Sequence, residues 1–160
     1  MRMKTVALGL AFVVTAGAGY IAGAAKKAEG VMWAANELKW EPYDAKNPQN
    51  PLQVAILWGE RFKGNDYAML LKLPAGMPSN WHSHTADYYA MNLSGNWQHA
   101  FADGKMKDLP AGSYVFQPGK QLHGDACKAG ADCVIFVHQH GKNDYIPGKD
   151  PNAAPAAPAK

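Results

Sequence analysis

The feature that most constrains this chain is its rhythm of short apolar runs cut by turn residues. Gln53 to Trp58 (QVAILW), Tyr67 to Leu73 (YAMLLKL), Asn96 to Ala102 (NWQHAFA), Ser113 to Gln117 (SYVFQ) and Cys133 to His140 (CVIFVHQH) have strand length and a β-branched or aromatic content that suits a pleated surface. Between them lie Gly64-Asn65-Asp66, Pro74, Asp103-Gly104, Leu109-Pro110-Ala111-Gly112 and Pro118-Gly119, where the backbone is biased to turn. Val31 to Trp40 admits a turn of helix or a short strand, and a strand near Leu38-Lys39-Trp40 is the expectation. The prolines and Asx residues from Glu41 to Pro51 predict loop. No stretch carries a convincing amphipathic helical period. The pattern predicts one all-β domain, a sandwich or barrel over 31–146, without internal repeats. At 160 residues the chain is long enough for one such core.

The ends read differently. Met1-Arg2-Met3-Lys4 is a short positive segment, Thr5 to Ala16 is apolar, and Ala22-Gly23-Ala24 offers a small-x-small cleavage site. A secretory signal over 1–24 is expected, followed by a charged, Gly-ended linker over 25–30. If the signal is retained, the longer apolar run from Thr5 to Ala25 is a membrane anchor. Either way the domain is expected outside the cytoplasmic membrane, periplasmic or secreted. From Pro147 the Pro/Ala-rich tail, 147–160, is expected to be disordered. The formal charge is +3, and two of the basic residues are Arg2 and Lys4. The remainder is nearly balanced and forms no basic cluster, which argues against a nucleic-acid partner.

The chemistry concentrates between Gly76 and Gly95. His82 and His84 stand two residues apart, so in a strand both imidazoles project from one face. His123 follows the Pro118-Gly119 turn. If the strands close around a common interior, the three can converge as ligands for a divalent metal, and three neutral nitrogen donors leave coordination positions open. His99 shares its expected inward face with Trp97 and Phe101, as a fourth ligand, a proton-transfer group or a hydrogen-bonded interior residue. His138 and His140 repeat the spacing at the end of the last strong strand, where a rim or surface location is expected. Trp81, of opposite parity to His82, is expected on the outside or at the mouth.

These residues resemble the cupin superfamily. Gly76, His82-x-His84 and the run to Gly95 are similar to the first cupin motif; Gly112, Pro118 and His123 are similar to the second. The phrase HSHTADYYAMNLSG resembles secreted single-domain cupins and the cupin part of anti-sigma factors of the ChrR kind. The resemblance implies a single jelly-roll β-barrel that binds Fe, Zn, Mn, Ni or Cu through His82, His84 and His123, with dimerisation through sheet faces as a family tendency. The chain departs from the motifs at three positions. Tyr88 stands where the first motif places its glutamate ligand, and Lys120 and Cys127 stand where the second has a glycine and an asparagine. Strand parity turns Tyr88 toward the site and the neighbouring Asp87 away from it. The implied centre is a three-histidine one, as in the family's thiol dioxygenases, with Tyr88 and His99 as the proton-transfer groups.

Cys127 and Cys133 flank a Gly-containing turn. In an oxidising compartment they favour a disulfide, the alternative being a Cys127 thiolate close to His123. Three functions fit: a metal-dependent dioxygenase, isomerase or lyase on a small molecule; a binding or sensing module for a metal or small ligand; and a metal-free barrel.

Overall fold

The structure, a computed structural model, describes residues 30–47 and 49–153. The expected signal peptide, nearly all of the linker, and residues 154–160 of the tail lie outside the described residues. Among the described residues no helix is long and apolar enough to cross a membrane.

The chain from Trp33 onward forms one unit built of strands β1 (Glu41–Pro42), β2 (Gln53–Trp58), β3 (Tyr67–Leu73), β4 (Asn80–Ser83), β5 (Tyr88–Ser94), β6 (Asn96–Phe101), β7 (Lys107–Pro110), β8 (Tyr114–Gln117), β9 (His123–Cys127), β10 (Cys133–Gln139) and β11 (Ile146–Pro147). They form two antiparallel sheets, ordered β1-β2-β3-β10-β5-β8 and β11-β4-β9-β6-β7. This is the jelly-roll architecture expected of a cupin, with the interior between the sheets. Alternation along the strands fills it: Val54, Tyr67, Met69, Tyr88, Ala90, Val115, Ile135 and Val137 from the first sheet meet Trp97, Leu109 and Cys127 from the second.

Several local expectations are corrected. The residues expected to form a strand near Leu38 follow a single 3-10 turn at Ala35–Glu37, closed by the Glu37 carboxylate accepting from the Ala34 N–H at 2.6 Å. The first pairing occurs in the expected loop, where Glu41–Pro42 joins β2. Leu109-Pro110, read as a turn, ends strand β7, because Pro110 lies on the outermost strand of its sheet, where a missing N–H is tolerated. Phe101, expected inside, is 47% exposed. Residues 147–153, expected to be disordered, are seated on the domain: Pro147 pairs with His82, the Gly148 N–H donates to the Trp81 carbonyl at 2.9 Å, and Asn152 Nδ2 donates to the Gly104 carbonyl at 2.9 Å.

The most consequential correction concerns the histidine segment. It is not one extended run. β4 ends at Ser83 in one sheet and β5 begins at Tyr88 in the other, so residues 84–87 carry the chain across the sandwich. The crossing is held from outside. Asp144 accepts from the Thr85 N–H at 2.9 Å and from its hydroxyl, while the Lys120 N–H donates to the His84 carbonyl at 2.6 Å. A side chain at Gly119 would place Cβ 2.5 Å from the Thr85 carbonyl oxygen, so the turn before His123 approaches this closely only as glycine.

Candidate metal centre

The β4–β9 ladder sets His82 directly opposite His123, so both imidazoles leave the same face at neighbouring positions. His84 follows at the exit of β4. The ring centroids lie 4.3 Å apart for His82 and His123, 4.8 Å for His82 and His84, and 5.2 Å for His84 and His123. All three residues are buried, and one ligand atom from each lies within 4.8 Å of the others.

Backbone carbonyls select the tautomer. His82 Nδ1 is 3.2 Å from the Asn80 oxygen, His84 Nδ1 2.5 Å from the Asp144 oxygen, and His123 Nδ1 3.1 Å from the Gln121 oxygen. A carbonyl oxygen only accepts, so each Nδ1 carries the proton and each neutral ring keeps its lone pair on Nε2. His123 Nε2 is fully buried and has no hydrogen-bond partner among the described residues. A buried acceptor without a partner is costly. A divalent ion held at these three nitrogens would satisfy it, so the residues present fit such an ion.

A carboxylate completes the group, and the sequence reading missed it. Asp125 leaves β9 on the same face as His123, two residues on. Its Oδ2 lies 3.8 Å from Nε2 of both His82 and His123. Its Oδ1 accepts from Trp97 Nε1 at 2.8 Å and from His99 Nδ1 at 2.9 Å. Parity alone would have found it: 123, 125 and 127 share a face, the rule already applied to 82 and 84.

The electrostatics follow from burial and from this one anion. Burial by itself would raise the Asp125 carboxyl; the charge and hydrogen bond of His99, with His123 and His82 adding, outweigh it and hold the group well below the usual carboxylate range. Burial pushes His82 down, against the pull of Asp125. His123 is pushed down to about 4, again by burial with Asp125 opposing. The two imidazoles are therefore neutral and available as ligands at neutral pH.

Tyr88 is buried as expected, its ring centroid 5.6 Å from that of His84 and 5.8 Å from that of His123. Burial, reinforced by Asp125, raises its phenol well above the ordinary value, so it stays protonated. His99 is buried, and both its nitrogens are engaged, Nδ1 by Asp125 and Nε2 by Gln117 Oε1 at 3.3 Å. It reaches the imidazole group through Asp125. Asp87 is exposed, its carboxylate accepting from the Gly119 N–H at 2.6 Å. Trp81 lies on the opposite face from His82, its indole against Gly124, and is buried there. Cys127 and Cys133 form a disulfide with Cα atoms 5.9 Å apart, which removes the thiolate alternative. His138 is partly exposed and His140 exposed, on the outer face of β10.

The group opens on a cavity of about 950 Å³, large enough for a small organic molecule. Met69, Leu71, Ile135 and Val137 form an apolar wall, and His82, His84, Trp97 and Asp125 line it opposite. Arg61, 7% exposed, adds a cation to the lining. Its Nη2 donates to the Tyr43 carbonyl at 2.8 Å, and its Nη1 has no partner among the described residues.

Residues 22–145 match the model of a family described as "Domain of unknown function (DUF4437)". No curated protein matches the sequence. Among solved structures, the chain is similar to an RmlC-like cupin protein from Ralstonia eutropha JMP134 (23% identity, TM-score 0.56, covering 71% of this chain and 69% of that one). It is similar to the DMSP lyase DddQ from Ruegeria pomeroyi DSS-3 (17%, 0.55, 73% and 64%). It also resembles a chain in the Rhodobacter sphaeroides complex of SigE with the anti-sigma ChrR (19%, 0.50, 66% and 51%). At these identities the likenesses establish the cupin fold.

Proposed function

The chain belongs to the DUF4437 family and has a cupin fold, and from this premise we propose that it is an exported, metal-dependent enzyme acting on a small oxygenated molecule. The metal is a divalent ion held by His82, His84 and His123. The observation that carries the reading is the buried, unpartnered Nε2 of His123 beside two further imidazoles whose Nδ1 atoms are likewise tied to carbonyls. When bound, such an ion polarises a substrate oxygen as a Lewis acid.

Of the reactions open to this fold, lyase or isomerase chemistry is the reading we favour. Asp125 is an anion beside the imidazoles, and because its carboxyl is held well below the usual range it stays charged and offsets the charge of a bound ion. Tyr88 is a phenol kept neutral by burial, and its hydroxyl can donate a hydrogen bond. His99 holds Asp125 from behind. The DMSP lyase among the structural relatives gives the fold a precedent for lyase chemistry, by analogy only. Arg61 on the cavity lining supports an anionic substrate. Export is supported by the N-terminal pattern and by the disulfide.

The test is elemental analysis of the protein purified from an exporting host, followed by a screen of the loaded protein against small carboxylates carrying a β leaving group. Stoichiometric metal in the wild type, lost in His82→Ala, with turnover lost in Asp125→Asn and Tyr88→Phe, is the expected result. A folded protein without metal affinity overturns the reading. A loaded protein that binds small ligands without turning them over leaves the binding or sensing module in its place.

A further inference from the structure

The second histidine pair has a geometry that the interior site does not use. Alternation along β10 sends Val137 and Gln139 into the interior and His138 and His140 out of it. The β3–β10 ladder pairs His138 with Ala68 and ends at Gln139 with Tyr67; His140 and Asp66 are the next residues, just beyond the ends of the two strands, and they meet there. One face of two adjacent strands thus presents two imidazoles at i and i+2 and a carboxylate across from the second.

The distances follow from that register. Asp66 Oδ2 lies 2.8 Å from His140 Nδ1 and 3.8 Å from His138 Nε2. The imidazole centroids are 4.6 Å apart, and one ligand atom from each of the three residues lies within 4.8 Å of the others. His138 Nε2 is buried and has no hydrogen-bond partner among the described residues. The His138 ring is walled by Trp58 at 5.3 Å and Tyr89 at 6.2 Å. The Asp66 backbone is fixed by Gly59, at φ +77, where any Cβ would lie 2.5 Å from the Asp66 carbonyl oxygen.

We infer that Asp66, His138 and His140 form a second metal site, on the outer face of the sandwich, that takes a borderline divalent ion such as Zn²⁺, Cu²⁺ or Ni²⁺. Two imidazole nitrogens and one carboxylate oxygen are the donor set these ions prefer, and they fill only part of the coordination sphere. The strand ladder preorganises the three donors, and the unpartnered His138 Nε2 is the atom the ion satisfies. Asp66 and His140 are exposed, so the ion reaches the site from solvent. The inner centre is shielded from this face by β10 itself, and the two sites fill independently.

The test is Zn²⁺ titration calorimetry on the metal-stripped full chain, with Cu²⁺ quenching of Trp58 fluorescence as the local readout, assigned by a Trp58→Phe control. Wild type is expected to take up two equivalents. Asp66→Asn keeps the shape of the loop and is expected to weaken one of them by more than the roughly 10–100-fold that loss of a group merely hydrogen-bonded to a ligand costs. His138→Ala with His140→Ala is expected to abolish that equivalent and the quenching at Trp58. His82→Ala is expected to remove the other equivalent and leave this one. If Asp66→Asn and the double variant bind as many equivalents as wild type, with equal affinity, the outer site does not exist. If wild type binds one equivalent, retained in His82→Ala and lost in Asp66→Asn, the outer site stands and the inner reading fails.

Discussion

Asp125 and His99 face each other across the β6–β9 ladder, Oδ1 of the one 2.9 Å from Nδ1 of the other, and the free oxygen of that carboxylate points to His82 and His123. Two strands of one sheet therefore supply both the anion and the group that orients it. Asp125→Asn removes the charge while keeping the shape. We expect the affinity for a divalent ion to fall about 10–100-fold, with the fold retained by circular dichroism. A chelator-competition titration checks it; unchanged affinity would separate Asp125 from the centre.

Gly124 sits between His123 and Asp125 and turns its outer side to Trp81. A Cβ there would meet the indole at 2.8–3.0 Å. The ring is rigid and buried, so Gly124→Ala is expected to cost about 1–3 kcal/mol of stability. Shortening the neighbour relieves the clash. The double variant with Trp81→Leu should lose less than the sum of the single losses. Urea unfolding of the three variants measures this.

Metal-free protein should weaken on acidification. His123 is held down to about 4 in the folded chain, against an ordinary value of 6.5. Between those values the unfolded chain binds a proton that the folded chain refuses, so stability is present above pH 6.5 and is lost as pH falls toward 4. The loss is roughly 3 kcal/mol if that group alone contributes. Urea midpoints at pH 7 and pH 5 test the sign, and His123→Gln should flatten the slope.

The Cys127–Cys133 disulfide closes a short loop at the far end of β9. Reduction is expected to lower stability by about 2 kcal/mol and to leave the metal affinity unaltered, since Cys127 ends β9 at the opposite end of the strand from His123. Thermal melts with and without reductant, combined with metal content, decide both points. Metal loss on reduction would tie β9 geometry to the disulfide.

Much of the molecule was legible in the chain because strand alternation is local. QVAILW, YAMLLKL, NWQHAFA and CVIFVHQH became strands with the expected ends or nearly so. The outward turn of Asp87 and the inward turn of Tyr88 followed from parity, although the run supporting that argument is broken at 84–87. What local pattern could not reveal was anything depending on a partner strand. Leu109-Pro110 reads as a turn until β6 offers it a ladder, and Phe101 reads as interior until the mouth of the sandwich exposes it.

The sequence by itself determined the donors: His82 and His84 at i and i+2, His123 after its glycine turn, Tyr88 in place of a carboxylate, and two cysteines within reach of each other. Those are properties of residue type and spacing, which the chain carries wherever it folds. Only the tertiary structure decided which atoms these donors present and what faces them. Carbonyls of Asn80, Gln121 and Asp144 select the tautomers, and Asp125 brings the missing negative charge from another strand. Asp144 lies sixty residues from His84, and Asp125 forty-three from His82; only sheet register and close approach bring them together. That is also why the same His-x-His spacing is buried at the end of β4 and turned outward beside Asp66 at the end of β10: the face a strand turns inward is set by its neighbours.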